Sequence, residues 1–190
     1  MCIRDSQFLN DRLRQRWGSK ARRRSSDLKT FVSDRLNLQE NPKIALMIAK
    51  NGENSIMFSD VVNKVNRRGK TKDLWMMITD GAVYLLEPHS GKLQHRTPLA
   101  NISHISASQL PDNFFIIHVP SEQDRLFVSG RKTEVVTVLR IAYFDSQKQE
   151  LNIALQNIID YRVDRDQVRR VVFYQGEDGV YTKLFARRYK

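Results

Sequence analysis

Lys64, Arg67, Arg68, Lys70 and Lys72 place five cations within nine residues that hold no acid. The chemistry open to such a cluster is recognition of phosphate. Ammonium and guanidinium groups donate charge-assisted hydrogen bonds to phosphate oxygens, and arginine can do so in a bidentate manner. With no carboxylate in their own segment, these side chains face water, as at a solvated hairpin end, or an anion.

Other residue types that carry chemistry are not spaced for it. His89, His95, His104 and His118 lack the pattern of a metal site, and His118 lies in an apolar run, where a core histidine sits. There is no Gly-rich phosphate loop ending in Gly-Lys-Ser/Thr, no GxSxG elbow and no HExxH. Asp164 and Asp166 flank a turn. No catalytic residue, metal or cofactor is expected, and the fragment is not read as an enzyme. The one cysteine, Cys2, excludes an internal disulfide and fits a reducing compartment.

The net charge of +11 is concentrated in three segments. Residues 7–35 carry nine Lys/Arg against three acids, 64–72 carry five against none, and 162–190 carry eight against four, so the remainder is slightly acidic. Such a distribution implies a partner with a negative surface, either lipid headgroups or nucleic acid. No run approaches the roughly 20 apolar residues of a spanning helix, so membrane contact would be peripheral.

The elements that must position the basic cluster follow from periodicity. Leu74-Trp75-Met76-Met77-Ile78 and Val83-Tyr84-Leu85-Leu86, joined through Thr79-Asp80-Gly81, predict a β-hairpin. The basic segment 64–72 leads into it as a loop, after an apolar strand over 55–63. One strand is also expected within 93–108, another at 114–119 and another at 125–128. Residues 133–144 are rich in valine, which favours a strand. Yet Val135, Val138, Leu139, Ala142 and Tyr143 recur at helical spacing, and the segment is assigned to a helix. Alternation at 151–155, at Ile159, Tyr161 and Val163, and at Val171 and Phe173 predicts a further hairpin. Upstream, residues 28–54 read as two helical pieces, the first striped by Leu28, Phe31, Val32, Arg35 and Leu36, the second starting at Pro42 and ending at Asn51-Gly52.

Residues 7–18 form a basic amphipathic helix by spacing, suited to a membrane surface or a calmodulin-like light chain, or to the last helix of an upstream neck. Arg22, Arg23 and Arg24 precede Ser25 and Ser26, a basophilic kinase context. A phosphate there would add about −1.5 to −2 charges and weaken attraction to an anionic surface. Met1 to Ser6 read as the translation of a sequencing adapter, which would make this a C-terminal fragment.

A resemblance runs through the same residues. Lys64, then Asn66-Arg67-Arg68-Gly69, further cations, an apolar strand ending Thr79-Asp80, and Ala82-Val83-Tyr84-Leu85-Leu86 resemble the lipid-binding core of the tail homology 1 domain of class I myosins. Phe31 to Leu36, the series Leu99, Ile102, Ile105 and Ser106, and Phe114 to Val119 resemble further segments of it. The resemblance implies an α+β, pleckstrin-homology-like β-barrel or sandwich with a closing helix, preceded by short helices and followed by an extra β-hairpin. It divides the chain into a basic neck segment 7–27, the tail domain 28–182 and a basic end 183–190. It implies a membrane anchor for an actin-based motor lying upstream, cytoplasmic and peripheral on membranes and the actin-rich cortex. Phosphoinositide headgroups would be held by Lys64, Arg67, Arg68, Lys70 and Lys72 in the loop between the first two strands, with Arg22, Arg23, Arg24, Arg187 and Arg188 as auxiliary membrane-facing cations. One feature departs from the family: where it keeps a basic residue directly before the second strand, this chain has Asp73-Leu74, and Lys72 is the nearest cation.

The competing classes are a nucleic-acid-binding module and a protein-interaction scaffold on the same fold. The basic segments have few interleaved aromatics on which bases could stack (Trp17, Phe185 and Tyr189), so nucleic acid is not the expected partner.

Overall fold

Phe58, Val62, Leu74 and Met76 turn to one side of two long paired strands, and their burial organises the fold. The computed structural model describes residues 2–5, 33–177 and 179–187. Short strands β1 (Cys2–Asp5) and β2 (Ser33–Asp34) and helix α1 (Pro42–Lys50) come first. Seven strands follow: β3 (Ile56–Val65), β4 (Thr71–Thr79), β5 (Ala82–Leu86), β6 (Leu93–Pro98), β7 (His104–Ala107), β8 (Phe114–His118) and β9 (Arg125–Val128). Helix α2 (Lys132–Gln147) closes the series, and β10 (Asn152–Leu155), β11 (Ile158–Asp164), β12 (Gln167–Gly176) and β13 (Gly179–Arg187) complete the chain.

The main sheet runs β10-β7-β8-β9-β3-β4-β5-β6, with β2 beside β3. It is the α+β, pleckstrin-homology-like arrangement expected of the sequence, but not a closed barrel. Its end strands are β10 and β6, and β6 and β7, consecutive in the chain, are linked by a 3-10 turn at Leu99–Asn101 rather than paired. The sheet nevertheless curls strongly. Arg125 on β9 donates to Thr97 Oγ1 on β6 at 3.2 Å, although three strands lie between them in sheet order.

Helix α2 covers the inside of the curl. Val135, Val138, Leu139 and Ala142 form its buried stripe, packed with Phe58, Val62 and Leu74. Burial of that stripe outweighs the β propensity of its valines. Helix α1 packs Ile44 and Ile48 on the outer face of the hairpin, against Met77, Tyr84 and Leu86. Its start is set by Pro42 at the first turn, with Asn41 Oδ1 accepting from the Lys43 amide at 3.1 Å.

The expected additional hairpin is a larger unit, a sheet ordered β1-β13-β12-β11. Ile159, Tyr161, Val171 and Phe173 pack it onto Phe114, Ile116, Leu126 and Val65.

Three segments differ from the sequence-based expectation. The first helical piece is not helical where it is described: Ser33 and Asp34 lie parallel to β3, the Arg35 amide donates to the Ser59 carbonyl, and Asn37 is left-handed with φ 50°. The Asp34 carboxylate, bonded to the Ser59 hydroxyl and the Gln39 amide, holds this segment extended. Residues 28–32 lie outside the described residues. The segment 93–108 is two strands split by the 3-10 turn. Finally, the strand before the basic segment continues to Val65 and the next begins at Thr71, so Lys64 and Lys72 stand on strands and only 66–70 form the loop.

Candidate functional site

The loop is a self-braced turn. The Asn66 amide donates to the Lys70 carbonyl at 2.8 Å, and Asn66 Oδ1 accepts from the amides of Arg68 and Lys70 at 2.8 and 3.1 Å. Gly69 has φ +77°, a conformation that disfavours a side chain. Asn66→Ala is expected to lower stability by about 1 kcal/mol, the net worth of such hydrogen bonds. A shift in the urea midpoint at unchanged m-value checks this.

The five cations do not share one environment. Arg67 reaches back to Asp164 at 3.7 Å, with both side chains well exposed, a contact worth less than about 1 kcal/mol. Arg68 and Lys70 stand exposed, with no carboxylate partner among the described residues. Lys72 pairs with Glu87 at 3.0 Å. Lys64 is different. It lies directly opposite Lys72 across β3 and β4 and opposite Phe127 across β3 and β9, on the face that carries Val62 into the core. It is half-buried at the mouth of the curl. Burial first, then the charges of Arg125 and Lys72, push its ammonium below the ordinary lysine range. It has no carboxylate partner among the described residues.

Two residues that the sequence reading did not select complete this mouth. Arg125, 8% exposed, lies 2.5 Å from both Glu122 Oε2 and His95 Nε2. His95 Nε2 is 2.8 Å from the same Glu122 oxygen. Burial, then Arg125, lowers the His95 pKa against the pull of Glu122. Burial tends to raise the Glu122 pKa, but its hydrogen bond to Arg125 and the charges of Arg125 and His95 outweigh this and hold it low. The Glu122 pair therefore contributes stability above the unfolded carboxylate pKa of 4.5, lost as pH falls through the depressed folded value. The mouth thus gathers Lys64, Lys72, Arg125 and His95 from four strands, with Glu87 and Glu122 at its rim. Arg125 and His95 carry no local signal, because only the curl of the sheet brings β6 and β9 together. The departure at Asp73-Leu74 is also explained: β4 begins earlier, and its Lys72 faces Lys64.

Of the other expected site residues, Arg22, Arg23, Arg24, Ser25, Ser26 and Arg188 lie outside the described residues, as does the segment 7–18. Arg187 ends β13. Among the described residues no group of three or more His, Cys, Asp or Glu is placed to hold a metal, and no helix is long and apolar enough to cross a membrane.

One constellation imitates a catalytic triad. His118 Nε2 lies 2.9 Å from Ser106 Oγ, and His118 Nδ1 lies 3.1 Å from Asp124 Oδ2. Ser106 and His118 are 3% and 6% exposed, and the His104 ring stacks on His118 at 3.9 Å. No substrate reaches a hydroxyl so covered. Asp124 also accepts from the amides of Val119 and Arg162, so the group is a strut that fixes the turn after β8. Asp124→Ala is expected to cost about 2 kcal/mol, since it leaves buried donors unpaired; thermal unfolding checks this.

A family model described as unconventional myosin tail, actin- and lipid-binding, matches residues 22–187. The myosin heavy chain IB of Acanthamoeba castellanii is 31% identical over 168 residues, covering 84% of this chain and 15% of that protein. Unconventional myosin-Ib of Homo sapiens is 30% identical over 156 residues, covering 77% of this chain and 13% of that protein. The chain therefore spans less than a sixth of the length of these relatives. Among solved structures, the N-terminal PH domain of human ARAP2 aligns with TM-score 0.40 at 15% identity, covering 50% of this chain and 85% of that one.

Proposed function

The chain belongs to the unconventional myosin tails, the family described as actin- and lipid-binding, and on that premise we propose that it anchors an actin-based motor to membranes by holding a phosphoinositide headgroup at the mouth of its curled sheet. The observation that carries the reading is Lys64, half-buried beside Arg125 and opposite Lys72, with no carboxylate partner among the described residues. A desolvated cation among cations is an energetic liability that a bound phosphate relieves. Lys72, Arg125 and His95 supply further contacts, and Arg68 and Lys70 flank the opening. Arg67 is partly spent on Asp164. The motor lies upstream, and the basic segment 7–27, with its light-chain or membrane contact and its serines, belongs to the same proposal. So does a cytoplasmic, peripheral location at the actin-rich cortex.

A concave mouth suits one headgroup better than an extended nucleic-acid backbone, which needs a continuous basic track. The test is pelleting with phosphatidylcholine vesicles, with and without phosphoinositide, in the presence of soluble inositol trisphosphate or duplex DNA. Pelleting that requires phosphoinositide and is displaced by inositol trisphosphate supports the reading. Equal displacement by DNA, or no pelleting at near-physiological salt, overturns it.

A pH dependence follows. The neutral His95 ring gains a proton as pH falls through its lowered pKa, adding a charge to the mouth. Phosphoinositide affinity therefore rises on acidification below the ordinary histidine pKa of 6.5, as pH falls through the lowered value. The rise is absent in His95→Gln; isotherms at several pH values check this.

A further inference from the structure

The geometry points to a second headgroup pocket beside the mouth, in the cleft between the β8–β9 turn and the β11–β12 turn, that takes a phosphoserine-type headgroup: a phosphate and a carboxylate with one ammonium. This rests on the membrane-anchoring reading but on different residues. The cleft has a volume of about 390 Å³, within the range of small-ligand pockets.

Its walls are fixed. Arg162 Nη2 donates to the carbonyls of Val119, Pro120 and Glu122, gathering the first turn around one guanidinium. The Arg162 amide and carbonyl bond Asp124, each at 2.8 Å, which ties the two turns together at the base. The second turn is braced by Asp164 Oδ1, which accepts from the Arg165 amide at 2.8 Å.

The lining has unspent capacity of a definite kind. The Arg165 guanidinium, Ser121 hydroxyl and Gln123 amide make no side-chain hydrogen bond with a described residue, and all line the cleft. Its two carboxylates already have cations, Glu122 with Arg125 and Asp164 with Arg67. The ligand must therefore be net anionic, to meet Arg165. Yet Glu122 uses only Oε2 in those contacts, and Oε1 accepts nothing from a described residue. A free carboxylate oxygen repels a polyphosphate and attracts an ammonium. The phosphoserine headgroup combines both demands, whereas an inositol polyphosphate does not. Glu122 stands in the wall of both sites, so the two are adjacent.

The test uses the full chain and two soluble probes, glycerophosphoserine and inositol trisphosphate, titrated separately by calorimetry. Arg165→Glu, at an exposed position, is expected to weaken glycerophosphoserine by at least about tenfold, as a reversed charge worth about 1.4 kcal/mol does, and to leave inositol trisphosphate unchanged. Lys64→Ala/Lys72→Ala is expected to do the reverse. In a vesicle arm, wild type pellets more with phosphatidylserine than with equally charged phosphatidylglycerol, and Arg165→Glu loses that excess. Glycerophosphoserine that fails to bind wild type, or binds Arg165→Glu as well, overturns the second pocket. So does loss of both probes in both variants, which means one shared site. Loss of glycerophosphoserine in Arg165→Glu, with no inositol trisphosphate binding in wild type, sustains the cleft and overturns the reading of the mouth.

Discussion

Lys64→Ala combined with Lys72→Ala is expected to lower binding to phosphoinositide vesicles by about two powers of ten. Near an anionic surface each cation is worth about 1 kcal/mol, and a hydrogen bond from a charged donor in a partly desolvated site about 1.5–3 kcal/mol. Two such losses, discounted because neighbouring cations share phosphates, give about 3 kcal/mol, or somewhat over a hundredfold. The fold should not suffer. Lys64 is a half-buried cation between other cations, and Lys72 is exposed with only an exposed partner in Glu87. Removing both relieves repulsion, so the urea midpoint is expected to stay level or rise. Affinity that falls while stability holds is the signature of a binding residue. Vesicle isotherms read the first quantity and urea unfolding the second.

Lys132→Met carries the largest expected cost in stability. Lys132 and Asp112 are 1% and 0% exposed, and their ion pair is 2.9 Å long. Asp112 Oδ1 also accepts from the Phe114 amide at 2.7 Å, while Oδ2 is unpartnered in its buried position. Burial already pushes the Asp112 pKa up, against the pull of Lys132. Without the lysine, an uncompensated carboxylate remains at the start of α2, and breaking such a pair costs about 3–5 kcal/mol. Asp112→Leu together with Lys132→Met is expected to recover most of that loss, because two apolar groups leave no orphaned charge. Urea unfolding of the three proteins checks it; equal instability of the single and double variants would show that packing rather than charge is at stake.

The central hairpin was legible because its two apolar runs are long and joined through an Asp-Gly link, and β4 and β5 fall on them. Helix α2 was legible only through spacing, since valine propensity points the other way and its burial decides. The segment around Asp34 was not, because what holds it extended is a hydroxyl on Ser59, far along the chain. The candidate site divides in the same way. A run of cations announces itself, so the loop was found. Its division of labour was hidden, because the strand ends set which cations face inward. Arg125 and His95 lie isolated in sequence and meet only through the curvature of the sheet. The Ser106, His118 and Asp124 constellation teaches the converse, since its members are catalytic types made structural by burial.

The most direct test of the mouth as the headgroup site needs no bilayer. Soluble inositol trisphosphate is titrated into wild type, Lys64→Ala/Lys72→Ala and Arg67→Ala/Arg68→Ala by calorimetry. Binding to wild type, lost in the first pair and retained within about tenfold in the second, where two rim charges worth under about 1 kcal/mol each are removed, is the expected result. Binding that survives in Lys64→Ala/Lys72→Ala but disappears in Arg67→Ala/Arg68→Ala would contradict it and move the site from the mouth of the sheet to the outside of the turn.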